Sequence, residues 1–439
     1  VCQARRPVLS ERIGWQDPAE PAPASPPGYV DVYRRSRAGW PPKVAERLEN
    51  ALGIVHRLNS LMTGNRDLPT ETTEPRPVLD LLVESPPFSM PTGGGGWPTA
   101  EPGSGYAKLL AQLAGGRTDI THDLLDDLGA RPATYRWPVD CLVRPFQNGD
   151  VALDMVACTG MIDARFVADL TELHGPLPHV ANHREFLRLV DQETGVRSVE
   201  FLAPALSELA ANAVHRPLYT SAWTGDPDLE MYCGPGKADY IPIHGITVRR
   251  VEGRVVTEAD GEPIRVLYHT TRLPPPPFDR LLLLLLNGDT SVAAQFRRLR
   301  HALAAIPGQR HLPRITAGGS VVISPAQWLL PPGSLAGATD LDRAKALFRL
   351  RSKLGLPRWV MACAGFGGRP VPGDLDSLRA FAMLDSGDPV VLEEMAPSPT
   401  ELPVTDTAAE LMIRLPHNVS VAELAHRSAR ALSGDTVLW

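Results

Sequence analysis

A chain of 439 residues that holds 44 prolines and 37 glycines cannot be built from long uninterrupted elements. Proline removes a backbone donor and fixes φ, and glycine weakens the interior of helices and strands. Many short elements joined by turns are therefore expected. Hydrophobic residues at 43% and charged residues at 21% are ordinary globular usage, which excludes a fibrous or wholly disordered class. At roughly 100–200 residues per domain the length leaves room for two or three units. Residues 16–28 form a Pro/Ala linker expected to be extended, and a second Pro/Gly break spans 84–105. That break contains Gly93 to Gly96, but no Gly-Lys-Ser/Thr follows and it does not join a strand to a helix. A nucleotide-binding loop is not expected there.

Between the breaks, hydrophobic periodicity places the elements. Val44, Leu48, Ala51, Leu52, Val55 and Leu58 recur at helical spacing, so 43–64 reads as a helix ending near Gly64. A helical pattern resumes at 106–116. Segments 139–146 and 150–158 flank Gln147-Asn148-Gly149 and read as a β-hairpin with an Asn-Gly turn. Residues 201–217 read as helix up to Pro217. Strands follow from 246 to 271, with Gly253 and Asp260-Gly261 as turns. Helices are expected at 278–288 and 290–303. Strands at 319–330 and 358–365 enclose a helix at 339–356. The fold class is α+β, a helical N-terminal part followed by mixed strand and helix subdomains. The expected divisions are 1–28, 29–135, 136–280 and 281–439.

The formal net charge is −6, which does not favour nonspecific polyanion binding over the whole surface. Only five of the 44 basic residues are lysine, and the rest are arginines, the side chain suited to bidentate phosphate or carboxylate contact. The five cysteines have no short spacing of a zinc site or redox dithiol, and are expected to be reduced. The apolar run Leu281 to Leu286 is far too short for a membrane span, and the N-terminal residues lack a secretory core. A soluble cytoplasmic protein is expected.

Common catalytic signatures are missing from the sequence: no Gly-x-Ser-x-Gly elbow, no His-Glu-x-x-His and no dinucleotide fingerprint. A helical His179/His183 pair would share a face. Pro176 and Pro178 interrupt that stretch, however, so His174, His179 and His183 are expected on a loop or the surface rather than around a metal. Arginines group at Arg34, Arg35 and Arg37, at Arg297, Arg298 and Arg300, and around Arg349, Arg351, Lys353 and Arg358. Such runs are commonly solvated faces; converging in the fold, they would make a track for a phosphate backbone.

A family pattern then becomes recognisable. Segment 149–166, GDVALDMVACTGMIDARF, resembles the strand, glycine and Arg-Phe stretch of lantibiotic dehydratases, in the domain that glutamylates peptides. In the same order, 212–219 (NAVHRPLY), 241–256 (IPIHGITVRRVEGRVV) and 312–330 (LPRITAGGSVVISPAQWLL) resemble its later segments. So do 354–377, with Leu-Pro-Arg and Asp-Leu-Asp, and 390–397 (VVLEEMAP). Earlier, 28–35 (GYVDVYRR) resembles the aspartate-bearing stretch before a long helix.

This resemblance implies transfer of glutamate from glutamyl-tRNA to a Ser or Thr hydroxyl of a precursor peptide, the step before dehydroamino acid formation in lanthipeptide- or thiopeptide-type biosynthesis. The aminoacyl ester is already activated, so no ATP, metal or other cofactor is expected; glutamyl-tRNA is the co-substrate. Arg165 matches the arginine of the Arg-Phe motif and is the first candidate catalytic cation, with a buried ion pair to an acid such as Asp163 as its structural alternative. Asp31 matches a functional aspartate. Arg34, Arg35, Arg216, Arg297, Arg298, Arg314 and Arg358 are the candidate tRNA contacts. Trp328 is expected in the core, and Asp374 and Asp376 at a strand end.

The segments resemble the second half of the glutamylation domain. A split enzyme is therefore expected, with a partner supplying the first half and a separate elimination domain; a truncated form and a degenerate relative fit the same segments. The alternatives are a non-catalytic module that binds the precursor peptide or completes a partner, and an aminoacyl-tRNA-dependent ligase acting at a peptide C-terminus.

Overall fold

The computed structural model describes residues 42–62, 73–84, 102–133, 135–157, 175–204, 218–229, 238–251, 254–269, 274–286, 302–306, 308–335, 339–365, 370–377, 379–384, 388–402 and 411–434, together with Val167, Thr171, Leu299 and Gly337. Within Gly39–Trp439, a single compact unit, the described strands form three sheets.

The six-stranded sheet runs Leu411–Leu415, Val139–Pro145, Val151–Ala157, Val321–Ser324, Ile315–Ala317 and Asp119–Ile120 in spatial order. Its nucleus is the expected hairpin. Asn148 accepts from the Asp150 amide at 3.0 Å, and Gly149 takes a φ of 86°, the positive region that the turn requires. Helix Pro42–Met62 lies against this sheet, as the periodicity predicts, and buries Leu48, Leu52, Ile54, Val55 and Leu58 almost completely. Leucines so buried each contribute about 1.5–3 kcal/mol. The same helix buries Arg57, whose guanidinium donates to the His122 and Arg131 carbonyls at 3.2 and 3.3 Å and pairs with Asp126. The cation thus holds the helix to the segment that carries Thr121, the side-chain cap of helix His122–Asp127. Expected helix 106–116 is Gly105–Ala114, capped by the Ser104 hydroxyl.

The seven-stranded sheet runs Arg76–Pro77, Ile246–Val251, Arg254–Ala259, Glu262–Leu267, Arg197–Leu202, Ala222–Gly225 and Asp239–Tyr240. One half is antiparallel, the other parallel. Phe201, Ile246 and Val248 pack with Leu281 and Leu282 of helix Phe278–Leu285 and with Leu81 of helix Val78–Glu84. Phe201 and Leu202 therefore correct the expected helix 201–217: they end a buried strand, and their apolar run fits either element by periodicity alone. Residues 205–217 lie outside the described residues. Gly225 has a φ of 117°, and a Cβ there would meet the Leu202 carbonyl oxygen at 1.9 Å, so only glycine fits.

The five-stranded antiparallel sheet runs His311–Leu312, Gln327–Leu330, Val390–Glu394, Trp359–Ala364 and Val371–Asp374. Helix Asp340–Leu354 packs on it through Leu347, Leu350 and Leu354. Thr339 caps the helix start, and Gly355 ends it at a φ of 63°. Trp328 is core, as expected: it is buried and its Nε1 donates to the Leu354 carbonyl at 3.0 Å.

The sheets draw strands from distant stretches of the chain, the six-stranded sheet from residues between 119 and 415. One element departs from expectation near the histidines. Residues 178–194 form a continuous helix, with Pro178 in its first turn, where a missing amide donor costs nothing, and Gly195 ending it at a φ of 67°. Pro178 starts the helix rather than interrupting it. Helix Val421–Ser433 packs along it.

Candidate functional site

Of the residues expected to act, Asp31, Arg34, Arg35, Arg165, Arg216, Arg297 and Arg298 lie outside the described residues. Arg314 and Arg358 are both described, and each is held by carboxylates. Arg314 donates from Nε to Glu394 at 3.0 Å, makes a second bond to the same carboxylate, and reaches Glu401 at 3.2 Å. Its guanidinium carbon sits 5.1 Å from the centre of the Phe146 ring. Because Glu394 also accepts from the Ala326 amide and Glu401 from the Ser398 amide, this cluster ties strand Val390–Glu394 to the segment that enters strand Ile315–Ala317. Arg358 makes a bidentate pair with Asp374 at 2.9 and 2.8 Å and reaches Asp376 at 3.1 Å, with its guanidinium carbon 4.6 Å from the Trp359 ring centre. A phosphate approaching either arginine competes with carboxylates already in place.

The densest polar constellation among the described residues is one that sequence reading missed. Asp140, His183, Glu200 and His269 are buried and join with the partly buried Arg414 into a single chain. Asp140 and Arg414 are directly opposed across the antiparallel strand pair, and Arg414 donates to Asp140 from Nε at 2.7 Å and from Nη2 at 3.1 Å. Nη1 of Arg414 lies 3.4 Å from His183 Nδ1, His183 Nε2 lies 3.0 Å from His269 Nε2, and His269 Nδ1 lies 3.0 Å from Glu200 Oε1. The last contact is off the line of a straight hydrogen bond. Glu200 Oε2 accepts from the Tyr219 amide at 3.0 Å.

Donor inventory assigns the protons along this chain. Arginine only donates, so His183 accepts at Nδ1 and carries its proton on Nε2; His269 then accepts at Nε2 and presents Nδ1–H to Glu200. The chain runs from strand Val139–Pro145 through helix Pro178–Thr194 to strand Arg197–Leu202, and so links the six- and seven-stranded sheets. Asp140, His183, Glu200 and His269 are closed off from solvent and Arg414 keeps a partial exposure, so the chain holds the elements around it together. The sequence carries a trace of it: Asp140 is a charged residue inside the apolar strand Val139-Asp-Cys-Leu-Val143. His183 corrects the expected loop or surface placement, because helix Pro178–Thr194 turns it inward, stacked on Phe186 and edge-on to Tyr219. Among the described residues no cluster of His, Cys, Asp and Glu could hold a metal ion. Nor is a reactive thiol evident at Cys363, which burial and then the charge of Glu393 push up to about 11.

Burial first, then the neighbouring Arg414, His269 and His179, hold His183 well below the ordinary histidine range. An unfolded chain therefore binds a proton at this position before the folded one does. Stability contributed by neutral His183 is present above the unfolded pKa of about 6.5 and is lost as pH falls below it, at about 1.4 kcal/mol per pH unit for one proton. A glutamine in its place would keep an acceptor for Arg414 and a donor for His269 without titrating. His183→Gln should therefore flatten the acid limb of the stability curve by about one proton, read from urea unfolding across that range. Parallel acid limbs for the two proteins would contradict the burial of a neutral imidazole.

The family model described as "Lantibiotic dehydratase, N terminus" matches residues 162–379. This region belongs to the lantibiotic dehydratase family. The matched region contains Arg165, Arg216, Arg297, Arg298, Arg314 and Arg358, and also His183, Glu200 and His269. Asp31, Arg34 and Arg35 precede it. Among solved structures, the tRNA-dependent lantibiotic dehydratase MibB from Microbispora sp. 107891 superposes with a TM-score of 0.58 at 16% identity, over 87% of this chain and 40% of that one. The glutamylation domain TbtB from thiomuracin biosynthesis, bound to 5'-phosphodesmethylglutamycin, superposes with a TM-score of 0.51 at 16% identity, over 85% of this chain and 48% of that one. The chain thus spans less than half the length of either, and at this identity the likeness is one of fold. No curated protein matches the chain. No helix among the described residues is long and apolar enough to cross a membrane.

Proposed function

We propose that this lantibiotic dehydratase relative transfers glutamate from glutamyl-tRNA to Ser or Thr side chains of a precursor peptide in the cytoplasm, together with a protein that supplies the first half of the glutamylation domain and with a separate elimination domain. The observation that carries this reading is the family match over 162–379, which includes the Arg-Phe motif with Arg165. The superposition on a tRNA-dependent dehydratase and on a glutamylation domain supports it.

In the reaction, the peptide hydroxyl attacks the carbonyl of the glutamyl ester, the new ester C–O bond forms, and the tRNA terminal hydroxyl leaves with the proton. One ester is exchanged for another, so the step needs no ATP, metal or other cofactor. What it requires is a cation near the glutamyl group and a basic surface for the RNA backbone. Arg165, with Asp31, is proposed at the reacting end, and Arg34, Arg35, Arg216, Arg297, Arg298, Arg314 and Arg358 along the RNA. For Arg314 and Arg358 this role requires phosphate to displace or share the carboxylates that hold them.

The carboxylate pairing of those two arginines is also what favours the second reading, a non-catalytic module that binds the precursor peptide. A peptide C-terminal ligase shares the aminoacyl-tRNA requirement and differs in where the label is found. The test incubates the protein and its partner with glutamyl-tRNA labelled in the amino acid and with a short Ser/Thr/Cys-rich candidate precursor peptide. Label in ester linkage to Ser or Thr supports the proposal. Label in an amide at the peptide terminus identifies the ligase, and unlabelled peptide that co-purifies with the protein identifies the module.

A further inference from the structure

Helix Asp340–Leu354 buries one side against the five-stranded sheet and leaves an unusual surface on the other. At 100° per residue, Leu341, Lys345, Phe348, Arg349, Ser352 and Lys353 fall on one outward arc, and all are exposed. Asp342, also exposed, falls on the same arc in the first turn, where its carboxylate accepts from the Thr339 hydroxyl at 2.8 Å. Phe348 is 74% exposed and Leu341 64%, two of the few large apolar side chains so displayed among the described residues. Two of the chain's five lysines, Lys345 and Lys353, stand on this arc.

The charges here differ from those on the helix's other side and just beyond its end. Arg351 pairs with Asp376, and Arg358 with Asp374 and Asp376, so those cations are neutralised. Lys345, Arg349 and Lys353 have no ion-pair partner among the described residues. A protein of net charge −6 therefore displays three unneutralised cations beside an exposed aromatic ring. Spaced four residues apart, the cations rise about 6 Å from one to the next, a span that covers a few nucleotides of backbone. An exposed aromatic ring next to such a row offers a face for an unpaired base.

Charge complementarity selects the partner. Lysine is depleted in the cores of protein–protein interfaces, and an arc with only two large apolar side chains is too polar for insertion into a bilayer. We infer that this face docks RNA, with Lys345, Arg349 and Lys353 on phosphates and Phe348 stacked on a base. The inference rests on the glutamyl-tRNA reading above and names a contact surface for it.

The test titrates fluorescently labelled glutamyl-tRNA with the full chain, together with its partner, at several salt concentrations. Replacing Lys345, Arg349 and Lys353 together by Ala should weaken binding and reduce the log–log salt slope by about 2–3, at roughly 0.7–0.9 per phosphate contact. Phe348→Ala should weaken binding at least about fivefold with the slope unchanged, because stacking releases no counterions. Lys108→Ala, at an exposed cation on helix Gly105–Ala114, serves as the control and should bind as the parent does. Helix-face variants that bind tRNA as tightly and with the same slope as the parent overturn the inference. Loss of binding to phosphatidylglycerol vesicles with tRNA binding intact overturns it in favour of a membrane surface. A parent protein that shows no tRNA binding at all, even with its partner present, overturns the glutamyl-tRNA reading itself, an outcome distinct from the other two.

Discussion

Asp140→Ala will destabilise the protein by about 3–5 kcal/mol, the cost of stranding one member of a buried ion pair. Asp140 is fully buried and gives both carboxylate oxygens to Arg414. Once the carboxylate is gone, the guanidinium faces His183, a neutral acceptor that cannot compensate its charge. Truncation thus removes an attraction and leaves a charge without counterpart between two sheets. Asp140→Asn keeps the shape and one acceptor, so its loss should be smaller. Replacing both members by apolar residues of similar size should recover much of the stability, because the pair's own desolvation cost disappears with it. Urea unfolding of the three variants at neutral pH checks the ordering. A loss below about 1 kcal/mol for Asp140→Ala would mean that solvent reaches Arg414 freely, against a guanidinium that is mostly buried.

The second large effect is on chemistry. In the proposed reaction Arg165 supplies the cation at the glutamyl group, and removal of one preorganised donor at a developing charge costs about 100-fold or more in rate. Arg165→Ala should therefore reduce glutamate transfer by at least that factor, with the circular dichroism spectrum and unfolding midpoint unchanged. Arg165→Lys should rescue poorly, because an ammonium cannot reproduce a bidentate contact. Transfer at the parental rate by a folded Arg165→Ala protein would remove Arg165 from the reaction.

The elements that sequence reading placed correctly have strong local signals. Helix Pro42–Met62 shows its buried stripe directly in the spacing of Leu48, Leu52, Val55 and Leu58, and the 139–157 hairpin announces itself through Asn148-Gly149. Where two local readings compete, the sequence misleads. Pro178 looks like a helix breaker and is a first-turn residue, and the apolar run at Phe201 fits strand and helix alike. The chain from Asp140 to Glu200 was illegible for a different reason. Its members come from positions 140, 183, 200, 269 and 414, and only strand pairing and helix packing bring them together. Pairing partners are equally invisible in sequence: Arg314 and Arg358 read as available cations, whereas their carboxylates arrive from other strands. The family was legible because it rests on ordered local motifs, and the match over 162–379 covers most of them.

The central claim is that the chain works on glutamyl-tRNA, and the most direct measurement is the salt dependence of tRNA binding by the protein together with its partner. A net charge of −6 gives the molecule no general attraction for RNA, so any affinity must come from discrete contacts. Labelled glutamyl-tRNA titrated at several salt concentrations should bind with an affinity that falls at a log–log slope of about 0.7–0.9 per phosphate contacted. Several contacts acting together give a slope of several units. Absence of salt-dependent binding at every salt concentration would contradict the transferase account and leave the precursor-peptide module in its place.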